Sequence, residues 1–128
     1  MSLMWAVVVL LIATGVVFIS LNKENNMSET AQVAKAGDMV SMNYTGRLED
    51  GTVFDSNVDP KFQHVEPFVF ALGAGQVIPG WDEGIVGMKV GEKKTLVVPP
   101  EKAYGPNDYG PIPGNSTLIF EVELLEIN

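Results

Sequence analysis

From Gly37 onward the chain alternates. In Met39–Leu48, "MVSMNYTGRL", Val40, Met42, Tyr44 and Leu48 fall on one side and Ser41, Asn43 and Thr45 on the other. That is the period-2 mark of a half-buried strand. Asp50-Gly51 then signals a turn before a short strand at Thr52-Val53-Phe54. Residues 56–67, with two prolines, predict a loop, and alternation resumes over 68–72 until Gly73-Ala74-Gly75 breaks it. A turn at Gly91 leads into a strand from Glu92 to Val98, closed by Pro99-Pro100. In the last strand, Thr117 to Ile127, Leu118, Phe120, Val122 and Leu124 share one face.

Between these strands only "VIPGWDEGI", residues 77–85, suggests a helix. Pro79 suits its start. Its glycines, Gly80, Gly84 and the nearby Gly87, each cost about 1 kcal/mol against alanine, so the helix cannot stand alone. Trp81, Ile85 and Met88 fall at i, i+4 and i+7 and predict one docked face. Five strands with one short helix exclude doubly wound parallel folds. They predict an α+β domain, an antiparallel sheet with a single helix on one face.

The N-terminal pattern is different. No charged side chain occurs in the first 22 residues, and residues 3–21 read "LMWAVVVLLIATGVVFISL". As a helix this run reaches roughly 28 Å, about one bilayer core. No basic residue precedes it, and it exceeds the 7–15 apolar residues of a secretory signal. We therefore expect residues 1–21 to be a transmembrane anchor or uncleaved signal, 22–36 a polar linker, and 37–128 the domain. Met27 offers an alternative, soluble start. Lys23 beside Glu24 gives little orientation bias; an apolar N-terminus ahead of one small domain favours a single-pass protein with an extracytoplasmic domain.

Composition narrows the chemistry. With no cysteine, the chain has neither disulfide, thiol nucleophile nor cysteine-based metal site. A formal charge of -8 with scattered acids supplies no basic patch for nucleic acid. A dinucleotide loop beginning at Gly73 would need a third glycine at position 78, where Ile78 stands. Gly91-Glu92-Lys93-Lys94-Thr95 fails the phosphate-loop spacing. His64, the only histidine, reads as an ordinary solvated side chain in a polar loop. Asp82-Glu83 reads as acids offsetting the helix dipole. The sequon Asn43-Tyr44-Thr45 falls mid-strand and Asn115-Ser116-Thr117 follows a loop. No cofactor or metal is expected.

What remains is aromatic. Tyr44, Phe54, Phe68, Phe70, Trp81, Tyr104, Tyr109 and Phe120 cluster at element ends, and the glycine-proline stretch "YGPNDYGPIPGN", residues 104–115, reads as a wall or flap. The blocks "YTGRLEDGTVFDS", "PFVFALGAGQVIPGWDEGIVGMKVGEKKTLVVPPEKAYG" and "IPGNSTLIFEVELLEI" together resemble the FKBP-type peptidyl-prolyl cis-trans isomerases, the macrolide-binding immunophilins, over essentially all of residues 35–128. The resemblance implies a five-stranded, strongly bent antiparallel sheet wrapped around the short helix, with an apolar pocket between them. Position by position it implies that Tyr44, Phe54, Phe68, Trp81 and Phe120 line that pocket, with Trp81 as its floor. Val77 and Ile78 would form a rim, the Ile78 N–H facing a ligand carbonyl; Asp55 and Tyr104 would give polar contacts and Ile112 a wall.

The chain departs from the family in having Pro113-Gly114 where Pro-Pro is frequent, which predicts a looser loop, and in a longer segment 56–67. The implied activity is isomerisation of X-Pro bonds in protein folding, with proline-containing polypeptides and macrolides as partners; a module that docks proline-containing segments without turnover is the alternative.

Overall fold

In the computed structural model, residues 32–128 are described. They comprise β1 (Met39–Leu48), β2 (Val53–Ser56), β3 (Phe68–Ala71), a short helix α1 (Pro79–Gly84), β4 (Lys93–Val98) and β5 (Leu118–Ile127). The predicted anchor, Met27 and most of the predicted linker lie outside these residues. Among the described residues no helix is long and apolar enough to cross a membrane. Residues 32–36, read from the sequence as the end of a tether, instead belong to the domain. Ala34 is buried, its N–H donates to the Met88 carbonyl at 2.8 Å, and its own carbonyl accepts from Gly87 N.

All strand pairs are antiparallel, in the order β2-β1-β5-β4, with β3 also on β1. One edge of β1 is covered along its length by β5, while the other is shared: β3 takes Met39–Met42 and β2 takes Thr45–Arg47. Between them the edge lacks a strand partner, and buried Asn57 fills the gap. Its Oδ1 accepts from Tyr44 N at 2.7 Å, and its Nδ2 donates to the carbonyls of Met42 and Glu66, each at 2.9 Å. A buried backbone group without such a partner would cost about 1–3 kcal/mol. One amide side chain thus satisfies the strand and ties the following loop to it.

The core follows the sequence pattern closely in β5, where Leu118, Phe120, Val122 and Leu124 are all buried. Opposite them, α1 lies on β4. A Cβ on Gly80 would collide with Val98, and one on Gly84 would come within 2.8 Å of Leu96 Cδ2. The two glycines that weaken the helix are therefore what lets it reach the sheet. Lys94 on β4 donates to the Gly84 carbonyl at 3.0 Å, satisfying an orphan acceptor at the helix C-terminus.

The loop after β4 differs from its predicted looseness. Asp108 Oδ1 accepts from Gly114 N at 2.8 Å, Asn115 N donates to the Gly105 carbonyl at 2.8 Å, and Ser116 Oγ donates to the Pro113 carbonyl at 2.6 Å. A Cβ on Gly114 would run into the Pro106 carbonyl. Glycine at this position lets the two arms of the loop close together.

Candidate active site: an aromatic cavity between helix and sheet

A cavity of about 230 Å³ opens between α1 and the sheet, lined by Tyr44, Phe54, Asp55, Phe68, Gln76, Val77, Ile78, Trp81, Tyr104 and Phe120. Tyr44, Phe54 and Asp55 reach it through the way β1 and β2 pair. Tyr44 sits on β1 where β2 and β3 diverge, so its side chain has open space beside it. Phe54 and Asp55 are neighbours in sequence, and in a regular strand would point to opposite faces. Here Gly46 pairs with Asp55 but Arg47 pairs with Val53, which leaves Phe54 as the extra residue of a β-bulge. The bulge re-aims one side chain, and both reach the cavity. The predicted strand 52–54 is accordingly shifted to Val53–Ser56, because the bulge carries Asp55 into the ladder.

Trp81 is the hub. Its ring lies 5.3 Å from Tyr44, 5.3 Å from Phe120, 5.8 Å from Phe70 and 6.0 Å from Phe68, edge-on or tilted in each case. Edge-to-face contacts of this kind are worth about 0.5–1.5 kcal/mol each beyond their area. With 4% of its surface exposed it is a core residue and a cavity floor together. Its indole Nε1 is the one buried side-chain donor lacking an acceptor among the described residues. Phe54 and Phe120 meet edge to face at 5.6 Å and form the side wall. Gly46 leaves room for that wall: a Cβ there would lie 2.6 Å from Phe54 Cζ and 2.7 Å from Phe120 Cε1.

The polar side is a short chain of hydrogen bonds. Tyr44 Oη donates to Asp55 Oδ2 at 2.7 Å, Ser56 N donates to Asp55 Oδ1 at 2.9 Å, and His64 Nε2 lies 2.7 Å from the same Oδ1. Burial, and then the bond to Asp55, push the Tyr44 phenol well above the ordinary tyrosine range. Burial also raises Tyr104, with Tyr109 and Asp55 adding to it. Tyr109 stacks on Tyr104 at 4.2 Å with the rings 8° from parallel.

The rim is held from α1. Asp82, read from the sequence as a dipole partner, does stand in the helix's first turn. It also accepts from Gly73 N at 2.8 Å and Gly75 N at 3.0 Å, through one oxygen each. Both glycines have positive φ, 81° and 74°, where a side chain would be strained. Gln76 Oε1 accepts from Ala71 N at 2.9 Å, so the strand end and the rim are tied together. Ile78 caps the helix with its carbonyl, which accepts from Trp81 N and Asp82 N. Among the described residues no acceptor takes the Ile78 N–H itself.

Nine of the ten residues singled out in the sequence therefore meet in one cavity. Ile112 does not: it is 4% exposed within the hydrophobic core, its backbone paired both ways with Tyr109. The hairpin of the long loop turns it inward. Gln76 and the supporting residues Gly46, Asn57 and His64 carry no motif that a single sequence displays; an isolated glycine inside an alternating strand is the one usable signal. His64, expected to be merely solvated, is half-exposed yet bonded to Asp55.

The family model described as FKBP-type peptidyl-prolyl cis-trans isomerase matches residues 30–125. "FK506-binding protein 2" of Yarrowia lipolytica is 52% identical over 111 residues, covering 86% of this chain and 74% of that protein. Human "Peptidyl-prolyl cis-trans isomerase FKBP2" is 55% identical over 95 residues, 73% of this chain and 64% of the relative. The matched segment thus spans about two thirds to three quarters of the length of these relatives. Among solved structures, AtFKBP13 superposes with a TM-score of 0.69 at 36% identity, covering 77% of this chain and 86% of its own.

Proposed function

The chain belongs to the FKBP-type peptidyl-prolyl cis-trans isomerases, and from that premise we propose that its aromatic cavity accelerates rotation about X-Pro bonds in folding polypeptides. The barrier to that rotation is about 18–20 kcal/mol, from amide conjugation, and uncatalysed exchange takes tens to hundreds of seconds. Twisting the bond breaks conjugation and reduces the amide's charge separation. A dry aromatic cavity therefore favours the twisted amide over the planar one, and catalysis needs no nucleophile. Each tenfold acceleration requires about 1.4 kcal/mol of that difference.

The observation that carries this reading is the convergence of Tyr44, Phe54, Phe68, Trp81 and Phe120 on one cavity beside the Ile78 N–H, which has no acceptor among the described residues. The aromatic walls would take the proline ring, and the Ile78 N–H or the Tyr104 hydroxyl would receive a carbonyl of the bound segment. A macrolide with an apolar ring beside a carbonyl would compete for the same place. The apolar run of residues 1–21 supports a single-pass anchor with the domain outside the cytoplasm, for which protease protection on intact cells is the test.

Activity is tested by NMR exchange on a short X-Pro peptide with the full chain in detergent micelles. Acceleration at micromolar protein is expected. Peptide binding without acceleration would instead favour a docking module, and no acceleration at all rejects catalysis.

A further inference from the structure

We infer that His64 is a positioning residue for Asp55, and that its protonation makes the cavity's affinity for proline-containing peptides depend on pH; the inference rests on the cavity being the isomerisation site. His64 Nε2 sits 2.7 Å from Asp55 Oδ1 while the other carboxylate oxygen holds the Tyr44 hydroxyl. The arrangement is built rather than incidental. His64 follows a 3-10 turn at Pro60–Phe62 whose last residue is succeeded by left-handed Gln63, φ 66°, and the far end of the segment is pinned where Asn57 Nδ2 donates to the Glu66 carbonyl. The imidazole ring lies 6.4 Å from the ring of Tyr44.

The groups around it are few. Asp55 faces it from β2 and Tyr44 from β1, and Tyr104 lines the same cavity as both. On its own loop, the Asp59 carboxylate accepts from Lys61 N, the Lys61 ammonium lies over the Phe62 ring, and Glu66 bonds Asn57 through its carbonyl. Among the described residues only Asp55 is hydrogen-bonded to the imidazole.

Between pH 5 and 8 carboxylates are ionised and histidine is the side chain that ordinarily titrates. With a neutral imidazole the His64–Asp55 pair carries one net negative charge; with imidazolium it carries none, and the bond becomes an ion pair with both partners charged. A docked peptide covers Asp55, and covering a pair with net charge costs more than covering a neutral pair. Peptides therefore bind the protonated form better, and binding takes up a proton. The effect falls on KM more than on kcat. Both side chains are partly exposed, 47% and 39%, so water moderates it.

The test measures kcat and KM from pH 5.5 to 8 for the full chain and for His64→Gln, which keeps a donor but does not titrate, with His64→Asn as a second variant should Gln not fold. In the parent, kcat/KM is expected to rise roughly 2- to 5-fold as pH falls, mostly through KM, consistent with a partly screened charge. The ratio should collapse to about one in the variants. Independently, the His64 Cε1–H resonance, unique because the chain has a single histidine, should show its midpoint move up when a proline peptide saturates the cavity. Acceleration that is flat with pH, that rises with pH, or whose inflection survives in His64→Gln overturns the role of His64 alone. Absence of acceleration at every pH removes the isomerase reading instead.

Discussion

The hydroxyl of Tyr44 donates to the carboxylate of Asp55 at 2.7 Å across the β1–β2 pair, and the two reach each other because one strand bulges and the other is open-edged. The bond closes the polar side of a cavity whose remaining walls are largely aromatic. It ties the phenol to the carboxylate, and both line the cavity.

Tyr44→Phe removes the bond while keeping the ring. A hydrogen bond is worth about 1 kcal/mol net, so kcat/KM should fall by roughly 5-fold, with ring contacts to Trp81 retained. The same variant should alter alkaline stability. The folded phenol titrates above its unfolded value of about 10. Its contribution is therefore complete below pH 10 and is lost as pH rises through the folded value. Urea unfolding from pH 8 to 11 should show the parent losing stability more steeply than Tyr44→Phe; equal slopes would refute this assignment.

Trp81→Ala deletes both floor and hub. Large aromatic truncations in cores cost about 3–5 kcal/mol, a large share of the roughly 5–15 kcal/mol that holds such a domain. Trp81→Phe should cost much less, since it keeps an aromatic floor and removes an N–H that has no acceptor among the described residues. Chemical unfolding together with calorimetric peptide binding separates the two variants. A Trp81→Ala protein within about 0.5 kcal/mol of the parent would behave like an ordinary surface variant and contradict the role of Trp81 as hub.

Gly46→Ala places a methyl group against Phe54 and Phe120. Overpacking of this kind costs about 1–3 kcal/mol. Because the displaced atoms are a cavity wall, peptide affinity should fall together with stability, whereas Gly51→Ala, in open space though at positive φ, should weaken stability alone. Unchanged affinity in Gly46→Ala would show that the wall can retreat without cost.

Asp82→Ala frees the amides of Gly73 and Gly75 and loosens the rim that carries Gln76, Val77 and Ile78. Hydrogen bonds to a carboxylate contribute about 1.5–3 kcal/mol each when shielded, less at this exposed site. Amide hydrogen exchange should rise over residues 73–78 and peptide affinity should drop several-fold. Glu83→Ala, on the neighbouring exposed position that pairs with Lys102, provides the control. Equal effects from both variants would reduce Asp82 to a simple charge effect at the helix end.

The sequence by itself determined the number and order of the strands, the place of the one helix and the burial of Leu118, Phe120, Val122 and Leu124, since each is encoded by alternation or spacing within a few residues. It also marked Trp81 as docked, because a helix with glycines at 80 and 84 needs a sheet to hold it. Family resemblance added the cavity residues, and nine of them do converge. The tertiary structure alone decided the rest. A bulge depends on the register between two strands, so nothing local in "TVFDS" announces that Phe54 and Asp55 will both reach the cavity. Asn57 is an ordinary loop residue until β3 and β2 part along the β1 edge and leave backbone groups for it to satisfy. Ile112 is a wall by family resemblance and core in the fold, because the pairing of Tyr109 with Ile112 turns the loop inward. His64 is a solvated loop residue by sequence yet bonds Asp55, a partner nine residues away that only the course of the loop brings within 2.7 Å. Local pattern sets which residues are apolar and extended; distances between side chains far apart in the chain are set by register, loop closure and the packing of helix on sheet.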